Sequence, residues 1–231
     1  MMSDVKLHPS VMCADLVNLE RDIKRLEKIG VDALHIDVID GKFSPSMPIG
    51  IETIARMREI TNLDFDIHLM TCNNEFFIGE MLKIGVQSIT FPYETSLHVE
   101  RNINIIKSHG VKASISLNPA TSISNLEFIY DHVDMITLML INPGFAGDKN
   151  EGQVPYAIEK INKMKATLKS CEKPPIIQVD GRVSLEKIPS LVSAGAESLV
   201  LGSTSLFRKG YSIEENKDEV DRAISKGKEN D

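Results

Sequence analysis

The densest polar cluster in the chain is His35-Ile36-Asp37-Val38-Ile39-Asp40-Gly41. His35 and Asp37 are two positions apart in an apolar, β-branched run, so on a strand they project to the same side. A second histidine, His68, closes the run Asp66-Ile67-His68-Leu69-Met70, and an acid, Asp180, closes Gln178-Val179-Asp180-Gly181. One His/Asp pair is also what a hydrogen-bonded couple in a core looks like. Two imidazoles and two carboxylates at one end of a sheet are costly to bury unless they pair or bind a cation. A two-histidine, two-carboxylate set suits one divalent metal ion, with zinc or manganese favoured over iron, cobalt or magnesium. A metal-free polar network is the other reading.

Glycine-containing turns follow three later apolar runs: Asn142-Pro143-Gly144-Phe145-Ala146-Gly147, Asp180-Gly181, and Gly202-Ser203-Thr204. Exposed backbone N–H groups at such turns bind phosphate without needing lysine. A single glycine after a strand is usually only a tight turn. Three such turns in succession match a phosphate cradle.

The elements that must position these residues repeat along the sequence: a short β-branched run, then a longer segment of helical period. Candidate strands are 7–11, 33–38, 65–69, 88–91, 113–117, 135–139, 176–179 and 198–201. Helical periodicity marks 16–29, 75–84, 99–109 and 158–168, with apolar residues every three or four positions under a charged face. Gly30, Gly85, Gly110 and Gly195 stand where a left-handed helix C-cap belongs. Eight strands are the number of a (β/α)8 barrel, in which chemistry sits at the C-terminal strand ends. A doubly wound open sheet is the rival, because periodicity cannot show whether the eighth strand closes on the first. The expectation is a single barrel domain over residues 1–231, with a charged tail from about Ser212 forming a solvated, fraying helix.

A chain of 231 residues with 42% hydrophobic content can bury one full core. Its 26 basic and 33 acidic side chains give a net charge of −7, which repels a nucleic-acid backbone and an anionic membrane. No run reaches the ~18 apolar residues of a membrane span, and the first nine residues lack a signal-peptide pattern. A cytoplasmic protein with a small-molecule partner is expected, associating with further copies of itself. Cys13, Cys72 and Cys171 are far apart and read as free packing thiols.

From Pro9 to Phe207 the sequence resembles the ribulose-phosphate 3-epimerases. The resemblance is carried by Pro9-Ser10-Val11-Met12-Cys13-Ala14-Asp15, His35-Ile36-Asp37-Val38-Ile39-Asp40-Gly41, His68-Leu69-Met70, Leu117-Asn118-Pro119-Ala120-Thr121, Asn142-Pro143-Gly144-Phe145, Val179-Asp180-Gly181 and Ala194-Gly195-Ala196, in family order. It implies a TIM barrel of the ribulose-phosphate-binding type. It also implies that His35, Asp37, His68 and Asp180 hold the metal and that Asp37 and Asp180 act as acid and base. By the same resemblance Ser10 and His68 contact substrate, Met70 and Met139 supply a thioether lining, and Gly144, Gly147, Gly181, Gly202 and Ser203 fall at substrate and phosphate positions. The chemistry agrees: inverting a carbon beside a ketone needs a proton removed from one face and returned to the other. The implied substrate is a phosphorylated ketose, D-allulose 6-phosphate or D-ribulose 5-phosphate. Met12-Cys13-Ala14-Asp15-Leu16 and Gly144-Phe145-Ala146-Gly147 look closer to the allulose-6-phosphate branch.

Four positions depart from the family pattern: Ile39 for methionine, Pro92 for histidine, Arg182 for a small residue and Asp148 for glutamine. Arg182 either reaches solvent, the favoured expectation, or adds a charged contact to phosphate, and Asp148 turns away or caps the next helix. Two rivals remain. A barrel lyase would need a lysine between Asp37 and Asp40, where Val38 and Ile39 stand. A catalytically silent sugar-phosphate sensor would be expected to lack a metal ligand, and all four positions are filled.

Overall fold

The computed structural model describes residues 5–145, 148 and 150–229. Eight parallel strands form one sheet: β1 (Lys6–Pro9), β2 (Ala33–Ile39), β3 (Asp64–Met70), β4 (Ser88–Pro92), β5 (Lys112–Leu117), β6 (Met135–Met139), β7 (Ile176–Asp180) and β8 (Ser198–Leu201). Their order is β1-β8-β7-β6-β5-β4-β3-β2, and the ends of that order meet at a parallel bridge between Ser10 and His35. This meeting closes the barrel and removes the open-sheet alternative. Helices α1 (Leu19–Ile29), α2 (Ile51–Ile60), α3 (Asn74–Ile84), α4 (Val99–Ser108), α5 (Ala157–Leu168), α6 (Ile188–Ala194) and α7 (Ile213–Lys228) surround it. After β5 the chain makes two 3-10 turns, Ile123–Leu126 and Tyr130–His132, where the repeat would place an α-helix. No helix among the described residues is long and apolar enough to cross a membrane.

Strand alternation divides the interior into two chemically different spaces. Leu34, Ile36 and Val38 of β2, Phe65, Ile67 and Leu69 of β3, and Ile136 and Leu138 of β6 belong to one apolar cluster with helix residues such as Ile23, Ile54 and Ile161. That cluster fills the layer between sheet and helices. The intervening positions, including His35, Asp37, Asp66, His68, Ser88, Thr90, Ser114, Ser116, Thr137, Gln178 and Ser198, are buried and polar. Barrel interiors are usually filled by branched apolar side chains. Here the axis is a polar column, which is where the candidate chemistry lies.

Three local expectations change. The first strand ends at Pro9, and Val11–Cys13 forms a 3-10 turn; Val11 is apolar because it packs into the core, fully buried. Helix α1 begins at Leu19, because Asp15 accepts from the Val17 N–H and the Asn18 amide and makes a turn of the preceding residues. The charged tail does not simply lie in solvent. Ser212 and Glu215 form a capping box at the start of α7, and Ile213, Val220, Ile224 and Gly227 make a buried stripe. A sparse stripe among many charges reads as solvated in sequence, yet its spacing keeps it on one face.

At Gly227, α7 packs tightly against α6. A Cβ there would lie 2.7 Å from the Pro189 carbonyl oxygen and 2.9 Å from the Val192 Cβ. Gly227→Ala should therefore destabilise the fold, despite the ~1 kcal/mol helix-propensity gain, because overpacking costs about 1–3 kcal/mol. Thermal denaturation followed by circular dichroism should show a fall in Tm, at about 2–4 °C per kcal/mol for a chain of this size. An unchanged or higher Tm would show that α7 yields at no cost.

Candidate active site

The β2 and β3 ladder pairs His35 with Asp66 and Asp37 with His68, so two successive inward steps each carry an imidazole and a carboxylate. The β6 and β7 ladder sets Met139 beside Asp180. One donor atom from each of His35, Asp37, His68 and Asp180 lies within 4.8 Å of the others. His35 Nε2 is 3.5 Å from Asp37 Oδ1 and 3.9 Å from Asp180 Oδ2, and His68 Nδ1 is 3.5 and 3.4 Å from the same atoms. These separations exceed good hydrogen bonds. Three of the four fall at the ~3.3–3.6 Å edges of a tetrahedron whose centre lies 2.0–2.2 Å from nitrogen and oxygen ligands, and the His35–Asp180 separation is longer. Both imidazole atoms, His35 Nε2 and His68 Nδ1, are buried without a hydrogen-bond partner. The donor set thus fits a divalent cation.

The electrostatics agree with close confinement. Burial alone would lower the His35 pKa, and the Asp37 and Asp66 carboxylates override it, holding it well above the ordinary imidazole value. Burial likewise opposes the His68 charge, and Asp180 and Asp37 raise its pKa. Asp37 is pushed up by burial and pulled further down by His35 and His68, ending below the usual carboxylate range. Ser10 donates to Asp37 Oδ2 at 2.6 Å, which orients that carboxylate with Oδ1 toward the histidines.

Beneath the four donors lies a residue to which the sequence reading gave no role, Asp66. It accepts from His35 Nδ1 at 2.9 Å and from Gln178 Nε2 at 2.9 Å, both on Oδ2, and from the Ser88 hydroxyl at 2.8 Å on Oδ1. His8 Nδ1 lies 2.7 Å from the same Oδ2. The signal was present: Asp66 is two residues before His68, just as His35 is two before Asp37, and the same alternation rule turns it inward.

Above the donors a cleft opens at the C-terminal strand ends. Its walls include Ser10, Asp37, Met70, Met139, Gly144, Asp180, Gly181, Gly202 and Ser203. His35 and His68 sit behind this wall, 0% and 1% exposed. Gly147 lies outside the described residues. Met12, Cys13, Ile141, Arg182, Val183 and Val200 also line the cleft. The Cys13 thiol is pushed up to about 11 by burial and by the Asp37 carboxylate, which fits a packing residue and not a nucleophile.

Gly181 and Gly144 are glycines by necessity. Gly181 has φ 109°, and a Cβ would lie 2.7 Å from Ile141 Cγ1 and 3.0 Å from its backbone nitrogen. Gly144 has φ 87°, and a Cβ would fall 1.9 Å from Ser44 Oγ, so the loop after β6 seats directly on the loop after β2. Arg182 lines the cleft and departs from the favoured expectation of reaching solvent. With φ 52°, it folds back so that Nε donates to the Glu151 carbonyl at 3.1 Å and Nη2 to the Asp148 carbonyl. Its charge thereby ties the turn after β7 to the loop after β6, and solvent is not its main partner. Asp148 accepts from the Asn150 N–H within that loop.

A model of the Ribulose-phosphate 3 epimerase family matches residues 6–207. Ribulose-phosphate 3-epimerase of Bacillus subtilis is 38% identical over 199 residues, covering 86% of this chain and 91% of that protein. The enzyme of the same name in Methanocaldococcus jannaschii is 36% identical, over 89% of this chain and 85% of its own. The chloroplastic ribulose-5-phosphate-3-epimerase of Arabidopsis thaliana is 34% identical, over 90% and 74%. Among solved structures, a mutant tryptophan synthase alpha-subunit from Pyrococcus furiosus superposes with a TM-score of 0.67 at 18% identity, covering 97% of this chain and 100% of that one. Orotidine 5'-phosphate decarboxylase from Pyrococcus horikoshii superposes with a TM-score of 0.64 at 11% identity, over 95% and 99%. These two likenesses show the barrel fold alone. The matched span covers every strand and all the inward-facing groups described above, and the chain belongs to the ribulose-phosphate 3-epimerase family, as a ketose-phosphate 3-epimerase.

Proposed function

We propose that this epimerase inverts C3 of a phosphorylated ketose through an enediolate, with Asp37 and Asp180 as the two proton-transfer groups. The observation that carries the reading is the set of four donors, three buried and Asp180 half-buried, within 4.8 Å of one another at a cleft that both aspartates enter. His35, Asp37, His68 and Asp180 would hold one divalent cation, zinc or manganese by the chemistry of the set. When bound, that ion supplies Lewis-acid polarisation of the C2 carbonyl and offsets the charge that develops on the enediolate. One aspartate removes the C3 proton from its face, and the other returns a proton to the opposite face. Ser10 holds Asp37 in orientation through its 2.6 Å hydrogen bond. Met70 and Met139 line the cleft with soft apolar surface, which limits water around the intermediate. Gly144, Gly147, Gly181, Gly202 and Ser203 receive the substrate and its phosphate, through loops after strands six, seven and eight.

D-ribulose 5-phosphate to D-xylulose 5-phosphate is the leading reaction, because the relatives described above carry names built on ribulose phosphate. D-allulose 6-phosphate to D-fructose 6-phosphate is the second, on the sequence around Met12-Cys13-Ala14-Asp15 and Gly144-Phe145. The chain works as a single barrel domain in the cytoplasm, on a small phosphorylated sugar, as a homo-oligomer. The test is to assay metal-replete protein on both sugars in parallel, following C3 exchange with deuterium from solvent. Turnover with exchange supports the reading, and the larger kcat/KM names the substrate. No exchange with either sugar overturns it and favours a silent sugar-phosphate sensor.

Cation binding should also be visible in stability. Zinc at a hundredfold excess over its Kd stabilises the fold by about 2.7 kcal/mol. At about 2–4 °C per kcal/mol this raises Tm by roughly 5–10 °C over the chelator-treated protein. Scanning calorimetry with and without zinc measures it, and equal Tm values would argue against a cation in this cluster.

A further inference from the structure

Asp66 has a stronger claim to function than its depth suggests. It is 1% exposed, and no cleft residue touches it directly except through His35. Burying an isolated carboxylate is costly, and its neighbours in the barrel interior, Ser88, Ser114 and Ser198, are small and neutral. Its surroundings are built to hold a charge. The Gln178 amide is fixed in direction because its oxygen accepts from the Thr137 hydroxyl at 2.7 Å, which turns Nε2 toward Asp66. Ser88 donates to Oδ1, and His8 reaches Oδ2 from the opposite, N-terminal mouth of the barrel, beside a cavity of about 220 Å³. With donors on both oxygens, the carboxyl group is an acceptor only.

We propose that Asp66 is the positioning residue of the cation site: it fixes His35 as the Nδ1–H tautomer and thereby aims a bare Nε2 lone pair at Asp37, His68 and Asp180. The inference rests on the reading of those four residues as cation ligands. An acceptor-only carboxylate 2.9 Å from Nδ1 requires that nitrogen to carry the proton. When a cation displaces the other proton, the ring is neutral and its lone pair lies on Nε2, which is the buried atom without a hydrogen-bond partner in the structure. A carboxylate behind a ligand imidazole also makes the ligand nitrogen a better donor. The cluster of His8, His35 and Asp66 is not itself a second cation site. Its contacts of 2.7 and 2.9 Å are hydrogen-bond lengths, shorter than the ~3.3–3.6 Å ligand edges of a tetrahedral cation.

Two measurements test this. In zinc-loaded wild-type protein labelled with ¹⁵N-histidine, long-range ¹H–¹⁵N spectra should show a protonated His35 Nδ1, with the signal assigned by its loss in His35→Gln. In Asp66→Asn, which keeps the shape and removes the charge, zinc affinity measured against a competing chelator should fall about 10–100-fold. The visible absorption of bound Co²⁺ should shift as well, with kcat lowered and KM for the sugar phosphate little changed. A His35 ring bearing its proton on Nε2, or an Asp66→Asn protein with wild-type zinc affinity and an unchanged Co²⁺ spectrum, overturns the role of Asp66. If Asp66→Asn fails to fold, the wild-type tautomer decides. If wild-type protein binds neither zinc nor Co²⁺, the four-ligand reading itself has failed, and the proposal falls with it.

Discussion

Asp180→Asn and Asp37→Asn should each lower kcat/KM for epimerisation by about 10²–10⁴-fold, the usual worth of a positioned acid or base. The more telling result is the isotope pattern. If each aspartate serves one face of C3, as proposed, a protein that has lost one of them retains a base for only one epimer. Asp180→Asn should still exchange the C3 hydrogen of one sugar with solvent while failing to convert it, and Asp37→Asn should do so for the other sugar. Both side chains are also placed as cation donors, so metal content has to be measured beside each rate. Epimerisation within an order of magnitude of wild type in both variants, with metal bound, would remove the two-aspartate scheme. Loss of exchange from both sugars in one variant alone would point to a single base that serves both faces.

Gly181→Ala should be strongly damaging for a substitution of a single methyl group at the cleft. At φ 109° an alanine is strained by about 1–3 kcal/mol. Its Cβ would also press on Ile141, including a backbone nitrogen 3.0 Å away that cannot rotate aside. With a further ~1–3 kcal/mol for overpacking, the loss of stability should reach about 2–6 kcal/mol. Relief by backbone shift would move Asp180, the preceding residue, so activity should fall beyond what the unfolded fraction explains. Gly202→Ala is the control for stability alone, since its Cβ would meet only the Cys13 thiol, at 3.3 Å, while the residue itself is proposed to receive phosphate. Urea titrations compare the two, and kcat on the folded fraction is read for Gly181→Ala. Equal, small effects would show that the turn after β7 is not held by contact with Ile141.

Much of this molecule was legible in the order of residues. Strand positions from β2 to β8 follow from β-branched runs because a parallel strand buried on both faces has to be apolar on at least one of them. Gly30, Gly85, Gly110 and Gly195 mark helix ends because each adopts a positive φ that other residues resist. His35 and Asp37 are placed side by side by the two-residue period alone. Where a local rule misread the chain, a distant contact had decided the matter. Val11 is held by the core and not by a strand, and α7 is held by Pro189 and Val192 across a glycine. Arg182 is held by two loop carbonyls more than thirty residues away in sequence.

The residue types and spacing determined by themselves that this chain alternates eight strands with helices and carries two histidines and two aspartates on those strands, while an open sheet stayed possible until the closure was seen. Only the tertiary structure decided which partners those groups face. Closure through Ser10 and His35 brings β1 beside β2 and carries His8 to the carboxylate of Asp66. The same closure sets Gln178, 112 residues from Asp66, against that carboxylate from the far side of the barrel. The physical reason is that a strand's period fixes the side on which a group emerges, whereas curvature and register around the barrel fix what it meets there.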